Sequence, residues 1–580
     1  MKKTVAKYLC IILSIAMLVT ALPLTVYAED SVIVKNVGSA ADLKTVCNEI
    51  NTNGGKYTIN LTADIIDGQV DITKSGAVVT VNGNGHFIKA PSQVVYVENG
   101  ATVNLSGGSS TLTLQGSVDP HITPKNTDDP GIIYVLPGST CTMSANVTLK
   151  NHKGNNYLGG GVSVSGGTFV MNGGIIDNCG IDGGSVCYGG GVAAYNGGYF
   201  TMNGGTISNC YATTDYVEED PLYKNSYSGI VGGVFVTDAS VFTMNGGTIS
   251  NNTATNFGGG VAMTLSDIET ITDPDTGEEK IDPDTHKGYV DLGNPRSKVT
   301  INSGKLSGNI AKNGAGIFIS GLIYAFADVF QKISLNAGVI DSPGFYINGG
   351  ENKTVEISSN NADDMGGGVF AIGLKDPKKV QIKNAAIKDN TAIKGAGIMN
   401  YSYWTNLDID GCTISGNKAT SNGGGVCAIN NKDNGAKTII KNTTISGNIS
   451  GDRGAGIYYD GDSELHISGK DIVQNNTYNG VLNNLNVFDK DKPVYVDGDL
   501  TGSQIGLSDP MLWDDGKEDI AADAVSCDYL TNGYKANNDT IIPYNAFTSD
   551  HESWVVDYGE KLSTISKTYK YSAKKVLNNP

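Results

Sequence analysis

The sequence is poor in charge, in proline and above all in arginine. Charged residues make up 17% of its 580 residues, only 16 residues are proline, and the arginines are Arg296 and Arg453 alone. A formal charge of −18 argues against nucleic acid as a partner, because the phosphate backbone requires a basic surface. No strict Gly-X-Y period occurs, which excludes collagen, and a hydrophobic content of 39% is enough for a folded core.

The sequence also has few long hydrophobic runs: a single one occurs, near the N-terminus. Lys2, Lys3 and Lys7 precede the apolar run 8–26, and Val26-Tyr27-Ala28 offers a small-residue cleavage site. This pattern predicts a secretory signal peptide over residues 1–28, whose removal changes the formal charge from −18 to −21. Because no second apolar run is long enough to span a bilayer, we expect a secreted, extracellular protein without membrane insertion, free or associated with the cell surface.

Glycine, in contrast, is abundant, with 76 residues, and much of it recurs in one short turn. The turn reads Gly-Gly-Gly or Gly-Ala-Gly followed by Val or Ile, with a shorter Gly-Gly-Val in one copy. The nine copies start at Gly159, Gly189, Gly232, Gly258, Gly314, Gly366, Gly395, Gly423 and Gly454. Alanine at the middle site indicates that this position needs a small side chain rather than a positive φ.

Apolar residues recur at fixed distances from an anchor residue that follows each turn. The anchors are Met171, Met202, Met244, Ile301, Leu335, Ile382, Ile409, Ile440 and Ile467. Five residues later stand Ile176, Ile207, Ile249, Leu306, Ile340, Ile387, Ile414, Ile445 and Ile472. Eight residues after the anchor stand Cys179, Cys210, Asn252, Asn309, Pro343, Asn390, Asn417, Asn448 and Asn475.

Such a repeat predicts a solenoid, in which equivalent residues of successive coils stack. The alternation in Phe200-Thr201-Met202-Asn203 has the period of a strand, and anchors recur every 27 or 31 residues where no insertion intervenes. We therefore predict an all-β fold, a right-handed single-stranded parallel β-helix. Stacked asparagine amides can hydrogen-bond from coil to coil, which accounts for the asparagine column.

The organisation of the chain follows from the repeat. Residues 29–60 are expected to form an N-terminal cap, in which Ser39 begins a helix that buries Leu43, Val46, Cys47 and Ile50. Residues 61–485 are expected to form the β-helix and residues 486–580 further β coils that close it. Longer distances between turn and anchor predict loop insertions near 265–297 and 320–331, which belong to successive coils and should be neighbours. Further insertions are expected near 212–229 and 342–363.

Three tetrapeptides, Phe169-Val170-Met171-Asn172, Phe200-Thr201-Met202-Asn203 and Phe242-Thr243-Met244-Asn245, alternate with the Gly-Gly-Val turns. This pattern resembles the GG[AILV] and FxxN repeats of polymorphic outer-membrane-protein-type adhesins. More widely, residues 60–480 resemble right-handed parallel β-helix proteins of the pectate-lyase-like superfamily. The stretch 493–503 is similar to the closing coils of large surface proteins of Gram-positive gut bacteria. The resemblance implies a β-helix at a bacterial surface that attaches to a glycan or to a host or bacterial surface protein.

Aromatic residues gather in two of the connecting loops. Tyr324, Phe326 and Phe330 precede the anchor Leu335, and Tyr401, Tyr403 and Trp404 occupy the corresponding loop two coils later. Along one edge of the rod they could stack against sugar rings and form a ligand-binding site. The alternative is that Phe326 and Phe330 attach their loop to the rod by packing.

A cofactor is not expected, but calcium is an alternative at one acidic loop. Asp273, Asp275, Asp282 and Asp284 supply the oxygen ligands that calcium prefers. Their spacing differs from that of an EF-hand, and Asp-Pro with Thr-Gly is equally typical of an exposed turn.

An enzyme would need a cluster of acids and bases, and one such cluster is predicted. Lys383, Asp408, Asp410, Lys441 and His466 occupy outward positions on four consecutive coils, with Asp410 between the two lysines. Paired carboxylates could cleave a glycan by acid–base catalysis, or the row could consist of cross-strand ion pairs. Pectate-lyase-like enzymes use an arginine as the base, and a clear counterpart is missing here.

Eight cysteines remain after removal of the segment that contains Cys10. Cys179 and Cys210 occupy the same column of neighbouring coils, so they could form a disulfide or pack as buried thiols. The preferred expectation for the whole chain is an adhesin-like protein that binds without catalysis. A polysaccharide lyase or glycoside hydrolase is the alternative, and a structural spacer is the third.

Overall fold

The chain forms a right-handed parallel β-helix with one helix at its N-terminal end, as seen in a computed structural model. Every coil contributes strands that pair in parallel with the equivalent strands of the coils before and after it. The structure describes residues 31–91, 93–117, 131–154, 159–182, 189–213, 231–237, 240–264, 268–270, 290–292, 297–320, 344–350, 354–372, 380–402, 405–430, 437–460, 464–487, 494–508, 546–550, 554–563 and 566–575. The predicted signal peptide lies outside these residues.

The strands that carry the anchors form a 15-stranded sheet, which we call the anchor stack. They are Ile33–Val37, Lys56–Leu61, Val78–Asn82, Thr102–Ser106, Thr140–Met143, Thr168–Met171, Tyr199–Met202, Val241–Met244, Lys298–Ile301, Gly344–Asn348, Val380–Lys383, Leu407–Asp410, Lys437–Lys441, Glu464–Ser468 and Val494–Val496. The anchors Met171, Met202 and Met244 are paired in register and buried, as the repeat predicts.

The second sheet contains three further stacks of parallel strands. The isoleucine stack carries the residue five positions after the anchor. Its strands are Ile65–Ile66, His86–Lys89, Leu112–Gln115, Val147–Gly154, Ile175–Asp182, Thr206–Ser208, Thr248–Ser250, Gly304–Ser307, Val355–Ser358, Ala385–Lys388, Thr413–Ser415, Thr444–Ser446, Ile472–Gln474, Gln504–Ser508 and Phe547–Ser549. The short stack follows it, with Tyr211–Thr213, Thr253–Ala254, Ile310–Asn313, Asn361–Met365, Thr391–Ala392, Lys418–Ala419, Ile449–Ser450 and Thr477–Tyr478.

The glycine-turn stack comes after the glycine turns and leads back to the anchor stack. Its strands are Val70–Ile72, Val95–Val97, Ile133–Val135, Val162–Ser165, Val192–Tyr195, Val234–Val236, Val261–Thr264, Ile317–Ser320, Val369–Ile372, Ile398–Ser402, Val426–Asn430, Ile457–Tyr459 and Leu485–Val487. Inward side chains of the anchor, isoleucine and glycine-turn stacks meet in one continuous core. Within it Phe200 stacks between Phe169 and Phe242, with ring centroids 5.4 and 4.8 Å apart.

One coil differs from the prediction. The anchor Leu335, the following Ile340 and the ladder residue Pro343 lie outside the described residues, and Ile347 pairs with Ile301 and Ile382 instead. Asn360 takes the place in the asparagine column that the constant spacing assigned to Pro343. Ile357 follows the anchor Ile347 by ten residues instead of five, so the constant spacing selected Leu335 and Ile340 in their place. Within the predicted insertion 342–363 the structure describes the strands Gly344–Asn348 and Val355–Ser358, and the longer connection joins them.

A second difference, of one residue, occurs in a later coil. Val473 rather than Ile472 pairs with Ile445, and Asn476 rather than Asn475 hydrogen-bonds to Asn448. The turn after the anchor Ile467 is one residue longer than in the coil before it, because Asp471 takes the position that Thr443 holds there. An insertion of one residue shifts every later position of the coil by one. The shift is not visible in the sequence, because Ile472 and Val473 are both apolar and either could be the buried residue.

The asparagine column forms a hydrogen-bonded ladder, as predicted. Buried side chains of eight asparagines donate, each to the next, over distances of 2.8–3.0 Å. They are Asn252, Asn309, Asn360, Asn390, Asn417, Asn448, Asn476 and Asn484. Each side-chain oxygen also accepts the backbone N–H of the preceding rung, for example from Asn390 to Asn417 at 3.0 Å. The ladder satisfies polar groups that a buried turn would otherwise leave without partners.

The third position of the turn is glycine in all nine copies, if the short copy is aligned as Val231-Gly232-Gly233, because the coils approach closely there. A Cβ on Gly397 would lie 2.4 Å from the carbonyl oxygen of Gly425, the equivalent residue of the next coil. The same contact limits Gly260 and Gly368, each at 2.5 Å from the next glycine oxygen. The first position has a positive φ instead, and Val231 adopts φ +69 where the other copies have glycine.

The helix Ala40–Asn53 covers the first coils, as predicted from its apolar face. Ser39 accepts a hydrogen bond from the Asp42 N–H at its N-cap, and Leu43, Val46, Cys47 and Ile50 are buried. Asn51 donates to the Asp71 carbonyl and accepts from the Thr73 N–H, both at 2.9 Å. These bonds pair backbone groups at the edge of the first glycine-turn strand, Val70–Ile72, which could otherwise pair with another strand.

At the C-terminal end, Gln504–Ser508 and Phe547–Ser549 add the last coil strands, and Trp554–Ser563 pairs antiparallel with Ser566–Lys575. Of the alternatives for Cys179 and Cys210, the structure has the buried thiols. Burial raises the pKa of Cys210 to about 12, so it packs as a neutral group.

Candidate functional site on the outward face of the anchor stack

The predicted acid–base residues lie on the outward face of the anchor stack, in two rows. Asp410 pairs in register with Lys383 on one side and Lys441 on the other, as the repeat predicts. Asp408 lies in the neighbouring row, between Gln381 and Ile439. Ile439 therefore separates Asp408 from His466, which is the next residue of that row.

Neighbouring amides hydrogen-bond to the two aspartates. Gln381 donates its side-chain N–H to Asp408 Oδ2 at 3.3 Å, and Asn442 donates to Asp410 Oδ1 at 3.0 Å. Among the described residues, neither lysine of the Asp410 row forms an ion pair with it. The row of cross-strand ion pairs, which was the alternative to acid–base catalysis, is therefore not formed at Asp410 among the described residues, although the strands are in the predicted register.

His466 belongs to a network that the sequence did not reveal. Its Nδ1 lies 2.7 Å from Asp497 Oδ2 and its Nε2 lies 3.0 Å from Glu464 Oε2. Lys437 forms an ion pair with the same Glu464 oxygen at 2.7 Å, and the imidazole stacks on Tyr495 with centroids 4.8 Å apart. Both ring nitrogens of His466 are therefore within hydrogen-bond distance of a carboxylate oxygen.

Lys437, Glu464, His466 and Asp497 each contact a partner of opposite type within the network. Burial is the largest influence on Glu464 and raises its pKa, but hydrogen bonds from Lys437 and His466 outweigh it, and the net pKa is lowered. Burial also raises the pKa of Tyr495. His466 is 7% exposed and both of its ring nitrogens contact carboxylates of this chain, so a substrate would have to displace these contacts to reach the imidazole. The arrangement can hold charged groups in place.

Part of this network could have been found in the sequence. Lys437 and Glu464 both stand three residues before an anchor, so the repeat alone places them opposite each other on adjacent strands. Asp497 gave no such signal, because the last coil departs from the spacing of the others.

The predicted aromatic edge is only partly visible. Tyr324, Phe326, Phe330, Tyr403 and Trp404 lie outside the described residues, so their grouping stays a prediction. Tyr401 lies in register between Ile372 and Ile429, and its side chain packs against a second hydrophobic cluster. The two long insertions do begin and end on adjacent coils, since Val261–Thr264 pairs with Ile317–Ser320 and Lys298–Ile301 pairs with Gly344–Asn348.

The second hydrophobic cluster lies on the outward side of the glycine-turn stack. Phe235, Phe318, Phe370 and Met399 point away from the main core, yet each is at most 3% exposed. The sequence signal was an unbroken apolar run such as Ile317-Phe318-Ile319, which is typical of a strand buried on both faces. Because other residues of the chain cover these four side chains, a ligand cannot contact them.

The calcium prediction is not decided by the described residues. Asp273, Asp275, Asp282 and Asp284 lie outside them. In the part of the chain that the structure describes, no group of three or more histidine, cysteine or acidic side chains is arranged to hold a metal ion. The described residues also include no helix that is long and apolar enough to cross a bilayer.

Comparisons with known proteins do not assign a family to the chain: no protein-family model, no curated protein and no solved structure matches it. The fold is a parallel β-helix, and the resemblance to adhesins and to pectate-lyase-like proteins rests on the repeat motifs alone.

Proposed function

We propose that the protein is an exported rod that binds a glycan or another surface component outside the cell and performs no catalysis. The proposal rests on the contacts that the residues of the predicted acid–base cluster make within the protein. Asp408 accepts from Gln381, Asp410 accepts from Asn442, and His466 contacts carboxylates through both ring nitrogens. A catalytic acid–base pair must contact the substrate, whereas each of these three groups contacts another side chain of the protein.

A role in binding is supported by the form of the molecule. A solenoid presents a long, regular surface that suits extended ligands, and its stability does not depend on any single surface residue. The secretory signal predicted from the N-terminal sequence supports a binding partner outside the cell. Two long insertions that begin on adjacent coils add a second place where a partner could be held.

The test compares binding and turnover in the same preparation. Purified protein is applied to a glycan array and to host and bacterial surface proteins, with and without EDTA. It is then incubated with each bound glycan and assayed for new reducing ends and for the absorbance of unsaturated uronate. We expect binding without product, and the same binding in Asp410→Asn and in the control Asp389→Asn, whose side chain is exposed. Product that disappears in Asp410→Asn but not in the control would replace this proposal with the enzyme.

A further inference from the structure

The outward face of the anchor stack changes character along the rod. Over six consecutive strands, from Val78–Asn82 to Val241–Met244, none of the outward residues is charged. We call these residues the neutral face. They are Val78, Thr80, Asn82, Thr102, Asn104, Ser106, Thr140, Thr142, Ser144, Thr168, Val170, Asn172, Tyr199, Thr201, Asn203, Val241, Thr243 and Asn245. Charge returns in the next strand with Lys298, and the later strands carry the acid–base cluster.

The polar groups of the neutral face are held in place before any ligand binds. Asn203 donates to Asn172 at 2.8 Å and Asn245 donates to Asn203 at 2.9 Å, so one row of exposed amides is fixed at the spacing of the coils. In the neighbouring row, Thr201 and Thr243 pair in register, and branching at Cβ restricts their rotamers. A surface that is already ordered loses little conformational entropy when it binds.

An exposed aromatic ring lies on the same face. Tyr199 is 53% exposed, although it is a large side chain on a strand whose neighbours Phe200 and Met202 are buried. In register it lies between Thr168 and Val241, neither of which has an aromatic ring. The ring is thus a single apolar platform among hydroxyls and amides, a combination that suits the apolar face and polar rim of a sugar.

The chemistry of this surface selects among ligands. Without cations it offers nothing to phosphates, sulfates or uronates, in a chain whose formal charge is −18. Hydroxyls and amides at a constant spacing do suit a polymer that presents the same hydroxyl groups at every unit. One coil rises roughly 4.8 Å, close to the length of one sugar in an extended β-linked chain, so six strands span roughly 24 Å.

We propose that the neutral face binds an uncharged, extended, β-linked polysaccharide that lies along the rod axis. This inference rests on the proposed function and adds to it the face and the class of ligand. The sugar rings lie flat on the sheet, Tyr199 stacks against one of them, and the asparagine and threonine rows exchange hydrogen bonds with the ring hydroxyls. Because no charge takes part, the affinity is independent of salt.

The test measures binding of the purified protein to two groups of polysaccharides, at low and at high salt. Cellulose, glucomannan and mixed-linkage β-glucan are the uncharged probes, and polygalacturonate and heparin are the charged ones. Tyr199→Ala removes the stacking platform and is expected to weaken binding about tenfold. Thr201→Lys places an ammonium group under a neutral ligand and is expected to weaken it further, because the charge must be desolvated. Gln381→Lys is the matched control, since Gln381 occupies the same row of the sheet outside the neutral face.

We expect binding to at least one uncharged polysaccharide, unchanged by salt and unchanged in Gln381→Lys, and weakened in both neutral-face variants. Both variants change outward side chains, and circular dichroism spectra that match the unmodified protein would show that they fold. If another glycan or a surface protein binds and neither variant affects this binding, the neutral face is not the binding site, while the proposed function stands. If nothing binds in any assay, both are contradicted. Salt-sensitive binding to the charged probes alone would also contradict the inference.

Discussion

Asn484 donates two hydrogen bonds to Asp550, from its backbone N–H to Oδ2 at 2.7 Å and from its side-chain amide to Oδ1 at 2.6 Å. Asn484 is the last asparagine of the buried ladder, in which every amide donates towards the C-terminal end of the rod. A carboxylate suits the end of such a ladder because it accepts through two oxygens and donates nothing. Asp550 thus connects the segment 546–550 to the coils that precede it.

Replacing Asp550 should therefore weaken the attachment of segment 546–550 to the preceding coils. In Asp550→Ala two donors of Asn484 lose their acceptors, and we expect the free energy of unfolding to fall by about 2–4 kcal/mol. Urea unfolding followed by circular dichroism measures the change. Asp389→Asn is the control, since Asp389 is exposed with φ +57, a conformation that asparagine tolerates well. Equal stability of Asp550→Ala and the control would contradict this role.

The interior of the ladder should be more sensitive than the exposed asparagine row. Asn417 accepts two hydrogen bonds from Asn390 and donates to the Ile387 carbonyl and to Asn448, all within the protein. Asn417→Ala leaves these buried groups unsatisfied, so we expect a loss of about 2–5 kcal/mol in unfolding free energy. Asn203→Ala, on the exposed row, should cost less than about 1 kcal/mol, because water replaces its hydrogen bonds. Similar losses in the two variants would show that the buried ladder does not contribute as described.

The third glycine of the turn provides a test of coil spacing. Gly397→Ala would place a methyl group 2.4 Å from the carbonyl oxygen of Gly425, so the coils must separate locally. We expect a loss of about 1–3 kcal/mol, as for other overpacked sites, and a lower melting temperature by differential scanning calorimetry. Gly204→Ala is the matched control, since its new methyl group would lie 3.5 Å from the Asn172 carbonyl oxygen at an ordinary φ. It should be neutral or slightly stabilising, because alanine restricts the unfolded chain.

A buried aspartate should make the stability depend on pH. Asp471 is fully buried; burial raises its pKa from 3.8 to about 7, against a smaller lowering by the backbone hydrogen bonds of Thr443 and Ser468. A carboxyl group whose pKa is higher in the folded state stabilises that state below the unfolded pKa, and this contribution is lost as the pH rises towards 7. Asn at this position keeps the acceptor for the Thr443 N–H without the charge.

Asp471→Asn should therefore match the unmodified protein near pH 4 and be more stable at pH 8, by at most about 4 kcal/mol. Urea unfolding at both pH values measures the difference, and Asp389→Asn again serves as the control. A variant that is equally destabilised at both pH values would show that Asp471 is charged and compensated in the folded protein.

Most of the fold could be predicted from the sequence, because stacking forces equivalent residues to recur. The ladder residues Asn309 and Asn417 and the anchor Met202 are where the repeat places them, and Ser39 begins the helix that the apolar pattern predicts. The coil around Ile347 could not be predicted by counting, since a loop length that varies freely at the surface removes the spacing on which the count depends.

The candidate site was less predictable than the fold. Outward residues are not constrained by packing, so the pattern could place Asp410 beside Lys383 but could not say that Asn442 would be its hydrogen-bond donor. The contact between His466 and Asp497 depends on the last coil, which has its own length. The neutral face was present in the sequence as uncharged outward residues, but its meaning depends on the register of six strands.

The central claim is that the coils stack in register about one axis, so that outward rows of the anchor stack are straight. Thr80, Thr201 and Gln381 occupy one such row, with four coil spacings between the first two and four between the last two. Pulsed electron paramagnetic resonance between nitroxide labels at these positions measures the distances in pairs. We predict roughly 19 Å for each shorter pair and roughly 38 Å for Thr80 to Gln381, so that the distances add. A Thr80 to Gln381 distance well below the sum of the other two would contradict the account.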